Sequence, residues 1–140
     1  MSVLVRAAGV DDLDTVRTLF TEYVTAPRSE ALFQSYLAQQ HFDSELAGLP
    51  GDYASPLGAI LLAEHHASVI GCVAMKALEP PEVCEMKRLF VRPEGRGLGA
   101  GHALVDGVVE AARAAGYRLM RLDCMPSMRD AQRLYRACGF

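Results

Sequence analysis

The segment Arg92-Pro93-Glu94-Gly95-Arg96-Gly97-Leu98-Gly99-Ala100-Gly101 sets four glycines at alternate positions beside two arginines. Glycine lets a backbone turn sharply and bring its N–H groups close to a ligand. The apolar spacing from Gly99 to Ala115 predicts a helix directly behind them, with Gly116 as its stop. The unpaired N–H groups and positive dipole end of that helix face the same way as the loop. Together they suit an anion, above all a phosphate or pyrophosphate, and Arg96 adds a charge-assisted contact. A plain turn between strand and helix would need only one or two glycines.

Two other phosphate-binding patterns fit less well. A P-loop ends its glycines with Lys and then Ser or Thr, whereas Gly101 is followed by His102-Ala103. A dinucleotide-binding turn wants a third glycine where His102 stands, although Asp123 ends the next strand about where its acidic partner would be. Several residues also separate the preceding strand from these glycines.

The elements that must position the loop can be read from hydrophobic period. Val3-Leu4-Val5-Arg6 is a short β-branched strand. Asp11 or Asp12 caps a helix with Leu13, Val16, Leu19, Phe20 and Val24 on one face, ended by Pro27. A second helical pattern follows Ser29 through Leu32, Phe33, Tyr36 and Leu37, extending toward Leu46. Residues 49–56 read as loop. Gly58 to Ala63 and Ser68 to Lys76 form a hairpin around His65-His66-Ala67, without the usual Asn-Gly chemistry. Val83 to Val91 and Arg118 to Asp123 are strands, and Pro126-Ser127 opens a last helix. The order β-α-α-β-β-β-α-β-α predicts an α+β fold with a mixed, largely antiparallel central sheet flanked by helices.

The 140 residues suit one domain, half hydrophobic (51%) and about a fifth charged (22%), with net charge -3. That balance argues against nucleic acid as partner. No apolar run reaches the roughly 18 residues of a membrane span. Cys72, Cys84, Cys124 and Cys138 form no CxxC pair, so neither zinc nor a disulfide framework is expected, and a reducing cytoplasm is the expected location. Cys124, at a strand end, has no histidine partner placed by sequence and reads as a small buried hydrophobe. His41, His65, His66 and His102 read as surface or turn residues.

From Met86 onward the sequence resembles the GCN5-related N-acetyltransferase (GNAT) family. Its Arg-x-x-Gly-x-Gly motif reads Arg96-Gly97-Leu98-Gly99-Ala100-Gly101 here. Met86-Lys87-Arg88-Leu89-Phe90-Val91-Arg92-Pro93 resembles the strand before that loop. The helix through Ala103-Leu104-Val105 to Gly116-Tyr117 has the matching length. Leu134-Tyr135-Arg136-Ala137-Cys138-Gly139-Phe140 resembles the family's closing signature. The N-terminal half agrees in element order.

The resemblance implies one N-acetyltransferase domain over 1–140, with acetyl-CoA as co-substrate and no metal. The loop from Arg96 to Gly101 would hold the pyrophosphate. The backbone of Leu89, Phe90 and Val91 would pair with pantetheine at an edge opened by splaying of the sheet, and an N–H near Leu89 would stabilise the oxyanion. Tyr135 would protonate the leaving thiolate, and Glu85 would take the amine proton through water. The acceptor would be a primary amine, on a small molecule or a protein, attacking directly in a ternary complex. The acids Glu22, Glu30, Asp43, Glu45 and Asp52 could draw a cationic amine. A non-catalytic acyl-CoA-binding module that regulates a partner is the alternative. Two departures stand out: Met128 replaces an asparagine that contacts the coenzyme, with Ser127 as substitute. The family's two further strands do not follow Gly-Phe here, so either the sequence is truncated at its C-terminus or the sheet is completed differently, as by a second subunit in a homodimer.

Overall fold

The computed structural model describes residues 3–25, 41–123 and 129–140. Within them lie β1 (Leu4–Ala7), α1 (Leu13–Thr25), α2 (Phe42–Ala47), β2 (Ala59–His65), β3 (Ser68–Ala77), β4 (Val83–Val91), α3 (Ala100–Ala114), β5 (Leu119–Arg121) and α4 (Arg129–Ala137). The helix expected after Ser29 falls mostly on residues outside these stretches, as do Cys124, Ser127 and Met128. It does not run unbroken to Leu46, because His41 takes a left-handed φ of 55° and α2 starts afresh at Phe42.

The described strands form one sheet in sequence order, β1-β2-β3-β4-β5. The first four are antiparallel neighbours, and β5 joins β4 in parallel after the α3 crossover. The expected mixed, largely antiparallel sheet is therefore present. The hairpin between β2 and β3 closes through His66 and Ala67, both at positive φ (51° and 67°), with His65 opposite Ser68. This is the twist that two-residue hairpins demand, accepted here by residues that carry a Cβ.

Alternation along the strands sorts side chains onto two faces. Ile60, Leu62, Cys72, Ala74 and Phe90 meet Val16, Leu19 and Phe20 of α1 and Phe42 of α2. Leu61, Ala63, Val73, Met75, Cys84 and Met86 meet Ala100, Leu104, Val105, Val108 and Ala112 of α3. The helices thus cover both faces of the sheet, and α4 packs through Leu134 and Tyr135 on the α3 side. The α3 helix ends as its sequence suggests: Gly116 has φ 92°, its N–H bonds Arg113, and the Tyr117 N–H reaches back to Ala112.

The start of α1 differs from expectation. A 3-10 turn over Val10–Asp12 leads directly into it, and Asp12 turns back to accept from the Gly9 N–H at 2.8 Å. Asp12 also accepts two hydrogen bonds from Arg6 of β1, and this guanidinium, helped by Gly9, holds its carboxyl down at about 2. A depressed carboxyl stabilises the fold above its ordinary range and loses that contribution as it protonates. Asp12→Asn should therefore be less stable than wild type above about pH 4, and the gap should close as pH falls toward 2. Urea denaturation at a series of pH values measures it; a gap that is flat with pH would contradict the pairing.

Candidate active site at the fork between β4 and β5

The site begins where two strands part. β5 pairs only with Val83, Cys84 and Glu85 of β4. From Met86 to Val91, no described strand pairs with that edge of β4, while β3 continues along the other. Leu89, Phe90 and Val91, the expected pantetheine partners, lie on this open stretch. This is the stretch where the resemblance implies an opened edge, and among the described residues the ladder with β5 ends at Glu85.

β4 is also irregular inside. Its register with β3 shifts between Cys72↔Phe90 and Ala74↔Lys87, so Arg88 and Leu89 together stand opposite Val73. This is a bulge, of the kind that redirects side chains and ends pairing. Arg88 takes φ 61° there. The extra residue places both Lys87 and Arg88 on the face of α1 and α2, while Leu89 and Val91 join the α3 side. Burial, and then the charge of Arg88, lower the Lys87 pKa.

After β4 comes a 3-10 turn over Pro93–Gly95, then Arg96 in extended conformation. The four alternate glycines prove to have two different jobs. Gly97 (φ 81°) and Gly99 (φ 80°) hold left-handed backbone with open space around the missing Cβ. Gly95 and Gly101 are packing residues: a Cβ would come within 2.8 Å of Ile70 in the first case and 3.0 Å of Leu134 in the second. Gly101 thereby lets α4 approach the first turn of α3. The helix starts on Gly99 with no side-chain cap and no acidic residue in its first turn. Its leading N–H groups and positive end thus have no side-chain cap from the chain's own turn and no carboxylate within the first turn of the helix. Arg96 is exposed and donates to the Val91 carbonyl at 3.4 Å.

Tyr135 lies on α4 next to Leu134, half-buried. The closing Cys-Gly-Phe is the cap of this helix. Gly139 has φ 99°, its N–H bonds Arg136, and the Phe140 N–H returns to the Tyr135 carbonyl at 2.9 Å. The Phe140 ring stands edge-on to the Tyr135 ring with centroids 6.2 Å apart. The motif therefore braces the tyrosine.

Glu85 is on the last rung that β5 shares, between Lys76 of β3 and Arg121 of β5. It precedes Leu89 by four residues, roughly 13 Å along an extended strand, so the fork does not bring it against the loop. Two acids expected to attract an amine are already engaged. Glu22 accepts from Nε and Nη2 of Arg92, and Glu45 accepts from Nε and Nη2 of Arg88. Asp43 and Asp52 are exposed. Arg88 was not singled out by sequence, and Glu45 only as one of several acids that could draw an amine; an arginine inside an apolar strand was the one signal available for their pairing.

Cys72 and Cys84 are fully buried, and burial pushes the Cys72 thiol up to about 12. Neither is a nucleophile at neutral pH. His102 is exposed and bonds Asp106 at 2.9 Å. With Cys138 these two place ligand atoms within 4.8 Å of one another at the seam of α3 and α4, the one such group among the described residues. Among those residues no helix is long and apolar enough to cross a membrane.

The profile of the Acetyltransferase (GNAT) family matches residues 13–140. The chain belongs to the GNAT acetyltransferase family. It is 39% identical over 130 residues to an uncharacterized N-acetyltransferase of Schizosaccharomyces pombe, covering 92% of this chain and 76% of that protein. An IAA acetyltransferase of Azospirillum brasilense is 33% identical over 87 residues, 62% of this chain and 57% of that protein. Among solved structures, a GNAT acetyltransferase of Staphylococcus aureus Mu50 superposes with TM-score 0.73 at 16% identity, over 99% of this chain and 84% of that one. A proposed acetyltransferase from Salmonella typhimurium, solved with its cofactor acetyl-CoA, gives 0.71 at 18%, over 100% and 80%. At such identities these structures speak for the fold.

Because Gly97 and Gly99 meet nothing where a Cβ would go, alanine there costs only backbone strain. Each substitution should destabilise by about 1–2 kcal/mol. Gly95→Ala, which drives a Cβ into Ile70, should be worse than either in denaturant titrations. Equal losses at all three would refute the division of roles.

Proposed function

We propose that this GNAT chain is an acetyl-CoA-dependent N-acetyltransferase acting on a primary amine. The observation that carries this reading is the start of α3, which has no side-chain cap, behind Gly97 and Gly99 and adjoining the edge of Leu89-Phe90-Val91 that no described strand pairs. An anionic pyrophosphate suits the first, and the two amides of a pantetheine arm suit the second, as an added strand would. Backbone N–H groups of Gly97, Leu98, Gly99, Ala100 and Gly101 would hold the pyrophosphate, with Arg96 swinging from the Val91 carbonyl to join them. Ser127 is kept as a further coenzyme contact from sequence.

Three chemical needs follow: the amine must lose a proton, the oxyanion needs a donor, and the thiolate must gain a proton. The Leu89 N–H is the donor in this reading and Tyr135 the acid, held by the cap of its helix. Glu85 is the base, and its distance along β4 requires a water relay. Direct attack within a ternary complex draws its rate chiefly from proximity. Of the acids that could draw the acceptor, whether small molecule or protein, Glu22 and Glu45 are already neutralised by arginines.

Calorimetry with acetyl-CoA, NAD and ATP tests the ligand class. Acetyl-CoA alone should bind, and Arg96→Ala should weaken it about 10-fold. Binding of NAD in preference would overturn the reading. Tyr135→Phe should lower turnover by about 10²-fold with coenzyme affinity unchanged. Full turnover in that variant would remove Tyr135 from the acid role.

A further inference from the structure

Arg88 is the one charged residue buried among the described residues, with its side chain 1% exposed. It sits in the β4 bulge at φ 61°, a conformation that residues with a Cβ rarely adopt. Something must hold it there. Its Nε donates to Glu45 Oε2 at 2.8 Å and its Nη2 to Glu45 Oε1 at 2.9 Å, a two-point fork from α2. The guanidinium carbon lies 5.2 Å from the Phe42 ring centre and 5.9 Å from that of Tyr23. The Arg88 carbonyl is held as well, accepting from the Cys72 thiol at 3.4 Å.

The peptide between Arg88 and Leu89 is trans, so the Leu89 N–H points opposite to that carbonyl, away from Cys72. We infer that the Arg88–Glu45 ion pair is a positioning device for acyl transfer, locking the bulge so that the Leu89 N–H is presented to the thioester oxygen. The inference rests on the acetyl-CoA reading above and names residues that this reading did not need. Burial alone does not call for this pair, because apolar residues of similar volume would pack at least as well. What the pair adds is direction: two parallel hydrogen bonds fix the guanidinium plane and, through the side chain, the backbone of the bulge. Without that anchor a non-glycine residue has no reason to stay at positive φ.

The test pairs Arg88→Met with Glu45→Leu, which removes both charges together and leaves no buried charge unmatched. Circular dichroism checks that the double variant folds. Backbone amide NMR then follows Leu89 on addition of acetyl-CoA and, separately, of coenzyme A. In wild type, acetyl-CoA should displace the Leu89 amide signal in a way that coenzyme A does not. In the double variant, calorimetric affinity for acetyl-CoA should persist while the thioester-specific displacement disappears. With an accepted amine, kcat should fall by about 10²-fold at little change in KM for the coenzyme. Arg88→Lys should not rescue, because an ammonium cannot form the fork. Should the double variant not fold, Glu45→Gln carries the same readouts with a smaller expected loss. A displacement that survives in the variants overturns the positioning role alone. Wild-type protein that binds no acetyl-CoA defeats the coenzyme reading first, and this inference with it.

Discussion

Strand β4 has two edges, and the described strands pair along nearly the full length of only one. Backbone N–H and C=O groups are obligatory hydrogen-bonding groups, and β3 satisfies one edge for nearly the whole length. β5 takes up the other for three residues and then leaves. Everything notable about the site follows from that shortfall. The open stretch points toward the loop of glycines, the bulge at Arg88 alters which way its peptides face, and α4 is drawn in over Gly101. A regular ladder through Val91 would leave no edge for an extended ligand to join.

Charges hold this strand in place from the side opposite α3. Arg92 at its end binds Glu22 of α1 and the Val69 carbonyl, and Arg88 in its middle binds Glu45 of α2. These contacts differ in weight. Exposed pairs such as Arg113–Glu110 contribute about 1 kcal/mol or less. Removing one partner of a pair as buried as Arg88–Glu45 costs about 3–5 kcal/mol, because the other is stranded. Tyr53 lies in the same pocket, where burial, and then the Glu45 charge, raise its phenol well above the ordinary range. The result is that α1 and α2 are fastened to β4 by directional bonds as well as by apolar packing.

Much of this was legible in the amino-acid order. Period alone placed β4, α3 and the β2–β3 hairpin within a residue or two, because alternation and helical spacing are local properties. The glycine loop and the helix start behind it were legible because they are adjacent in sequence. The separate roles of the loop's glycines were not, since Ile70 and Leu134 reach Gly95 and Gly101 from distant elements. The bulge left no local mark either: Arg88 at positive φ makes sense only through Glu45, 43 residues away. The turn at His66 and Ala67 was legible from the flanking strands even without the usual Asn-Gly. Asp12 was read as a helix cap, and Arg6 drew it into a pairing that no spacing rule predicts.

The sheet runs in sequence order, and that has a kinetic meaning. β1 with β2, β2 with β3 and β3 with β4 each join neighbours in the chain, where loop closure is least costly. The β4–β5 ladder is the exception. It must wait for the α3 crossover, is parallel, and has three rungs to reward the closure. It should form last and open first, as a cooperative unit with lower protection against hydrogen exchange than the meander. The fork is then the weakest seam of the fold, and a ligand lying across it would tie the late-forming C-terminal unit to the early-forming rest.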